Sequence, residues 1–497
     1  MLNSVPRTPS SWSIYSILCS ILAATIVRSA CVDNSTDTAG LQKLLTEGGE
    51  GYTLSLCAGQ VYSITQSLNF TNTSQEISTE GYPTDSTRAM LVVSGPKTPQ
   101  VNHTTAVLGD CENCDFIRIK NIMIDGDRDL ENMAPLPGGG NIEIGGANQG
   151  QIVENVRSFN PRGWSCLHIA EGPFACSNAT IRGNDIGPCG SDYFQYWADG
   201  VSLSCANSLV ENNDIKDATD AGIVIFGSPG STIRNNTISA TDRVMLGGIN
   251  MVDFDPWQGN FSNLLVENNR IYGGFADEYG NSSLGVADQP AVIKLGMAIS
   301  PQTWWGDERY GTNTSSGPAT VVGNVYSGAM VFAVAIAGAR NFALINNTLY
   351  GNTTFAGSYA VNCTTGADKP HEPTPFLISD ITTNSTNITI DNMNDFVEGT
   401  AGGLTCFGVM QMPELDEYPY GPNFNWSALA AVDNNASTTT TASTAASTGL
   451  NMGSATGTDS VPSPSVAPQN SAERNTLTMQ AIVFPALLLA VGAVGLI

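Results

Sequence analysis

WADGVSLSCANSLVENNDI, KDATDAGIVIFGSPGSTIRNNTI and SATDRVMLGGINMVDFDPWQGNFSNLLVENNRI run in succession through residues 197–271. Each has a short β-branched run introduced by glycine, then a turn, a second apolar run, an Asn pair and a closing Ile. One unit is written three times. Its second Asn falls at Asn213, Asn236 and Asn269, and the pattern extends to Asn184 (IRGNDI), Asn324 (VVGNVY) and Asn347 (LINNTL). The period is 23 residues from Asn213 to Asn236 and again from Asn324 to Asn347, with Gly, Pro and Trp insertions in the longer gaps. Such a period signals a solenoid. Units too short for helix pairs and rich in Val, Ile and Asn predict one coil of a parallel β-helix each. Stacked identical amides would then hydrogen-bond up and down the ladder.

The pattern continues outward. Residues 38–46 (TAGLQKLLT) have apolar positions at helical spacing and predict a short amphipathic helix capping the open first coil. TLSLCAGQVYSI and ISTEGYPTDSTRAMLVVSG read as opening coils, and the coils become clear at FIRIKNIMIDG. Beyond Ile271 they run through AVIKLGMAIS and VFAVAIAGARNFALINNTLY, with NITIDNMNDF as a last coil or terminal cap.

Both ends read as processing signals. Residues 1–30 hold an apolar run, 14–27, preceded by Arg7 and followed by small residues, as in a secretory signal peptide. Residues 431–470 are dominated by Ser, Thr and Ala and suit an O-glycosylated stalk. Residues 471–497 place small residues, a polar spacer and an apolar tail in the order of a glycolipid (GPI) anchor signal. The 17-residue tail, 481–497, would be short for a plain span of about 20. A folded domain over 31–430 is left.

The chain has 11 cysteines, one of them, Cys19, in the leader. In a secreted chain the even remainder predicts disulfides, with Cys31–Cys57, Cys189–Cys205 and Cys363–Cys406 as local pairs and CxxC at Cys111 and Cys114 as a structural bridge or part of bonds to other cysteines. Sixteen N-x-S/T sequons fit that compartment; those at Asn235 and Asn346 sit in the Asn ladder, where burial would mostly block glycosylation. A formal charge of −25 with only 20 Lys and Arg argues against nucleic acid and against an uncompensated polyanionic substrate.

The Gly-led strand, the Asn ladder and the leader-plus-anchor layout resemble the secreted, GPI-anchored, fungal-type right-handed parallel β-helix proteins of the pectin-lyase-like superfamily, over residues 31–410. The resemblance implies an all-β, right-handed parallel β-helix; it does not imply one activity, since that fold carries many chemistries. The polygalacturonase signature is missing: there is no NTD, no paired DD on a strand and no GHG, and RIK occurs only at Arg118, Ile119 and Lys120. The Arg and Asp set of calcium-dependent pectate lyases is missing too.

Alternation along the Gly-led strands turns Ile142 and Ile144, Leu167 and Ile169, Val201 and Leu203, Ile223 and Ile225, and Ile249 and Met251 inward. Glu143, His168, Ser202, Val224 and Asn250 then form an outward column with coils about 4.8 Å apart. Trp164 and Trp197 precede these strands and Trp257, Trp304 and Trp305 follow them, as walls or stacking platforms for sugar rings or as packing for loops. Asp199, Asp217 and Asp220 stand where strands begin, and Asp253 and Asp255 where one ends. Cleaving a glycosidic bond needs two carboxyls, about 5 Å apart for retention or roughly 6.5–9.5 Å for inversion. Asp199 lies one residue before its Gly and Asp220 two before, so their register is open by one. DGDRD at Asp125, Asp127 and Asp129 lacks the later Gly and Glu of a calcium loop and reads as a polar turn. With no phosphate loop, HExxH or GxSxG, neither cofactor nor metal is expected.

The expectation is a monomeric surface protein acting on a cell-wall or plant polysaccharide, held to a membrane by its lipid anchor. The leading function is a glycoside hydrolase with Asp199 and Asp220 as acid and base, Asp253 and Asp255 in reserve, and Glu143, His168, Asn250 and the five tryptophans binding sugar. A polysaccharide lyase or epimerase is the alternative, needing a base and a cation or one of Arg162, Arg243, Lys294 and Arg309. A non-catalytic glycan-binding wall protein is the third reading.

Overall fold

The computed structural model describes residues 31–98, 101–128, 134–170, 175–191, 196–252, 257–273, 292–305, 315–355, 374–378, 387–394 and 396–398. The leader, stalk, anchor signal, Asp129, Asp253, Asp255, Arg309, His371 and the pair Cys363–Cys406 lie outside them. Among the described residues no helix is long and apolar enough to cross a membrane.

The chain winds into a parallel β-helix. One ladder has 11 strands, a single strand from each successive coil, running from Thr53–Leu56 to Thr389–Asp391. Two further parallel ladders take a short strand and the Gly-led strand of each coil, and the continuous strand Val325–Ile336 joins them. The helix Thr38–Gly48 caps the first coil, with Leu41 and Leu45 buried and Asp37 accepting a hydrogen bond from Gly40 N at 2.8 Å. NITIDNMNDF forms a last coil, since Thr389–Asp391 pairs with Ala339–Ile345 and Phe396–Glu398 with Phe376–Ile378. Every predicted inward residue from Ile142 to Met251 is fully buried.

Two ladders of side chains set the register. Inside, Asn184, Asn213, Asn236, Asn269, Asn324 and Asn347 are linked Nδ2 to Oδ1 at 2.8–2.9 Å, and each Oδ1 from Asn213 onward also accepts the backbone N–H of the ladder Asn below it. The residue before each turns the corner at positive φ: Gly183, Asn212, Asn235, Asn268, Gly323 and Asn346, the residue types that reach that region most readily. Asn235 and Asn346, the sequon acceptors, are therefore exposed corner residues. Their expected burial belongs to the following Asn, which turns inward. Outside, Lys120, Glu154, Arg182, Glu211, Arg234 and Glu267 stack with alternating sign, with ion pairs at 3.0, 2.8 and 2.8 Å for Lys120–Glu154, Arg182–Glu154 and Arg234–Glu211.

Cys31–Cys57 forms as expected, and Cys111 bonds Cys114. The expected Cys189–Cys205 pair does not form. Ser177 is bridged to Ala206, so coiling sets Cys205 above Cys176, 29 residues back, and the two are joined; Cys189 bonds Cys166 instead.

Candidate functional site

The glycine that leads each strand decides which side chains share the outer face. An ideal Cβ on Gly200, Gly222, Gly248 or Gly296 would lie 2.7, 2.5, 2.6 or 2.7 Å from the core residues Ile215, Ile238, Ile271 or Tyr326. Each glycine thus faces inward together with the residue after it, and alternation slips by one. The residue before the glycine then shares the outer side with the one three places on. Accordingly Ser202 Oγ donates to Asp199 Oδ2 at 2.7 Å, and a Cβ on Gly247 would lie 2.1 Å from Asn250 Oδ1. In the same way Glu143 reaches back to Gly140, three residues before it, and accepts its N–H.

The outward column is in register throughout, Glu143 with His168, His168 with Ser202, Ser202 with Val224, and Val224 with Asn250. It points away from the core but is not solvated: these five residues are 7, 4, 0, 3 and 4% exposed. The expected exterior ladder is therefore a covered one. Within it, Glu143 accepts from Gly140 N on one oxygen and contacts His168 Nδ1 at 2.6 Å with the other. Trp164 sets its ring edge-on to His168, centroids 4.6 Å apart. Ser165 Oγ and Ser202 Oγ are hydrogen-bonded at 2.9 Å, and Ser202 leads on to Asp199.

Asp199 is 1% exposed, and its Oδ1 has no hydrogen-bond partner among the described residues. Burial first, then the neighbouring charge of Asp220, raises its carboxyl well above the ordinary range, against the opposing hydrogen bond from Ser202. Asp220 stands one coil on, and its N–H donates to Ala198 O at 3.1 Å. It keeps some surface, yet the protein around it raises its carboxyl to about 7. Asp110, which follows the strand paired below Glu143, is raised by burial and then by Glu143.

Other expected site residues are placed elsewhere. Asp217 is a turn cap, accepting from Thr241 N, Thr241 Oγ1, Asp242 N and Arg243 N at 2.7, 2.5, 3.0 and 3.2 Å. Trp164, Trp197 and Trp304 are 7, 8 and 3% exposed, so none presents an open stacking face. Trp257 is half-buried and donates Nε1 to Ser204 O. Trp305 ends the helix Pro301–Trp305, and its side chain lies outside the description. Arg162, a candidate cation of the face, is fully buried and bonds Gly95 O, His103 O and Asp127 Oδ2 at 2.9, 3.1 and 2.9 Å. Asp127 also pairs with Lys97 at 2.6 Å, so the DGDRD segment supplies ion pairs within a polar turn. Sequence reasoning missed Asp110 and Ser165. Asp110 could have been found by extending the Gly-led pattern back to VLGD; Ser165 is visible only once the fold-back over the third preceding residue is known.

A parallel solenoid of three ladders with a polar column on its Gly-led strands defines a β-helix protein. The sequence profile described as right handed beta helix region matches residues 107–283 and 174–371, more than half of the chain, and the chain belongs to that family. Similar solved structures include endo-xylogalacturonan hydrolase from Aspergillus tubingensis, 11% identical with a TM-score of 0.46 over 74% of this chain and 91% of that one. Others are PfbA, a surface adhesin of Streptococcus pneumoniae (12%, 0.42, over 74% and 89%), and the A-module of the Azotobacter vinelandii mannuronan C-5 epimerase AlgE6 (11%, 0.40, over 73% and 97%). At these identities the likeness is one of fold. No curated protein sequence matches the chain.

Proposed function

We propose that this is a secreted, carbohydrate-active β-helix protein that hydrolyses a glycosidic bond in a cell-wall or plant polysaccharide, with Asp199 as general acid and Asp220 as its partner carboxyl. The observation that carries the reading is Asp199 itself: a carboxyl buried at 1% exposure, with one oxygen held by Ser202 and the other without a partner among the described residues. Burial favours its protonated form, and a proton on Oδ1 would have no acceptor until a glycosidic oxygen arrives. Asp220, raised to about 7 and in reach of solvent, is suited to take a proton from attacking water or to attack the sugar itself. In either case the Asp199 proton leaves with the departing sugar oxygen. The signal-like leader, Ser/Thr-rich stalk and apolar tail support tethering to a membrane by a C-terminal lipid anchor, and the formal charge of −25 supports glycan rather than nucleic acid as the partner.

The test is product release by the secreted protein across neutral and uronic polysaccharides, with and without calcium. New reducing ends, reduced about 10²- to 10⁴-fold by Asp199→Asn, support the hydrolase. Unsaturated products would make it a lyase, and binding without turnover would make it a glycan-binding wall protein.

A further inference from the structure

Three inward rows run the length of the solenoid: from Leu54 to Ile390, from Tyr62 to Leu349, and from Leu68 to Phe396. Every member is buried except the last of each. At the first coil the helix Thr38–Gly48 caps the core, and Leu54, Tyr62 and Leu68 are closed off. At the other end Leu349, in register with the fully buried Tyr326, is 39% exposed, and Ile390 and Phe396 are half-buried. Among the described residues the core is closed at one end and open at the other. The Asn ladder stops there too: Met393, after the positive-φ corner residue Asn392, takes the next inward place, and Asn347 Nδ2 meets its sulfur at 3.4 Å. A thioether offers no amide to carry the ladder further. The rim strands Thr389–Asp391 and Phe396–Glu398 have no partner on their outer edges among the described residues, and bare edges template another strand.

The chain itself holds a matching segment. Residues 399–413, GTAGGLTCFGVMQMP, start at the rim directly after Glu398 and contain no charged side chain. Leu404, Phe407, Val409 and Met410 make them apolar, whereas acids return at Glu414 and the Ser/Thr-rich stretch follows from 431. A second observation concerns the cysteines. Eight of the ten beyond the leader are joined to one another, which leaves Cys363 and Cys406. Cys363 belongs to the insertion between Phe355 and Phe376, in the coil just below the last, so a bond to Cys406 would tie the segment back to the mouth. We propose that residues 399–413 fold over the C-terminal mouth of the solenoid, set their apolar side chains against Leu349, Ile390 and Phe396, and are pinned there by Cys363–Cys406. The bond forms by exchange with a protein disulfide: the two thiols give up two protons and two electrons, and the donor leaves as a dithiol. The segment closes the core and covers edges that a second copy would otherwise pair with. It does so whatever the solenoid acts on.

The test uses the full chain secreted from a eukaryotic cell. Hydrogen exchange read by mass spectrometry should find the amides of 399–413 slowed at least about tenfold relative to the chain unfolded in urea. Phe407→Asp should abolish that protection and shift the unfolding equilibrium about 30-fold toward the unfolded state; a segment lying in solvent would tolerate the charge within about twofold. Leu349→Asp, on the mouth itself, should also remove the protection of 399–413 while exchange at Thr53–Leu56, at the far end, stays slow. If Leu349→Asp loosens Thr53–Leu56 as well, the milder Leu349→Ser is read in its place. Light scattering should find one chain per particle, and non-reducing peptide maps should join Cys363 to Cys406. The proposal is overturned by fast exchange throughout 399–413, by protection that survives the change at Leu349, or by Cys406 found free or bonded to another chain. A dimer that Leu349→Asp splits would make a second copy the occupant and overturn it equally.

Discussion

Asp220→Asn separates the charge of this carboxyl from its shape, and its effect on stability has a definite sign. Burial raises the group from 3.8 to about 7 in the folded chain. Between those values the folded protein keeps a proton that the unfolded chain has shed, so the folded state binds more protons and its stability falls as pH rises through that window. The gap corresponds to about 4 kcal/mol at most; because Asp220 touches solvent, screening brings the expected figure nearer 2 kcal/mol. The carboxamide cannot ionise. Urea unfolding followed by tryptophan fluorescence should therefore give coincident midpoints for the two proteins near pH 4. Above pH 7 the variant should be the more resistant, with most of the separation developing between about pH 5 and 7. Asp199 contributes in the same direction, since removing its charged neighbour also eases its ionisation. Parallel curves for variant and parent, or a variant weaker at high pH, would refute the claim that this carboxyl is held protonated by its surroundings. The stabilised variant should at the same time be inactive, which distinguishes a site under functional strain from a weak point in the fold.

Asn236→Ala removes the acceptor of Asn213 N and Nδ2 and the donor to Val210 O, and should lower stability by about 3 kcal/mol in the same urea assay, because the orphaned groups stay buried. Its neighbour Asn235 behaves oppositely: Asn235→Gly keeps the positive-φ corner and should leave stability within about 1 kcal/mol. Glycopeptide mapping of the chain secreted from a eukaryotic cell should find glycan at Asn235 and Asn346; bare asparagines there would show that exposure at this corner is not enough. Removing the Cys176–Cys205 bond with a paired Ser substitution should cost roughly 3 kcal/mol, and non-reducing peptide maps should show that pair and no Cys189–Cys205.

What could be read from the sequence follows from what repeats. The ladder asparagines and Gly-led apolar runs recur once per coil, so fold, inward residues and column membership were all legible in the repeat. Register at the acid pair was not, because strict alternation fails where Gly200 and Val201 both turn inward and carry Asp199 to the side of Ser202. Burial of the column was equally hidden. It depends on cover from segments such as Trp164, whose distance from the column depends on turn geometry that no periodicity encodes. The disulfide and the sequons depart from expectation for one reason: nearness along the chain is not nearness in space, since stacking sets Cys205 over Cys176 and makes adjacent residues Asn235 and Asn236 face opposite ways.

Whether the column is a site or merely a covered sheet face can be argued from its limits. Followed along the solenoid it begins at the exposed Asn69, passes the half-buried Leu108, is polar under cover at Glu143, His168 and Ser202, passes Val224 to Asn250, and then turns to Ala298, Ala335 and Leu377. Beneath a covering layer the inexpensive solution is the one those last three residues adopt, an apolar surface with nothing to satisfy. The polar stretch does the opposite where cover is nearly complete, and in or next to its coils Asp110, Asp199 and Asp220 bring carboxyls with raised proton affinity. Packing does not require a Glu–His contact, a Ser–Ser–Asp chain and, two coils on, an amide oxygen without a partner among the described residues, and each carries a desolvation cost that an apolar side chain would avoid. Because the inward ladder and the alternating-charge ladder already set coil register, the outward column is free of that duty. Its polarity is then best accounted for by a ligand that completes its hydrogen bonds.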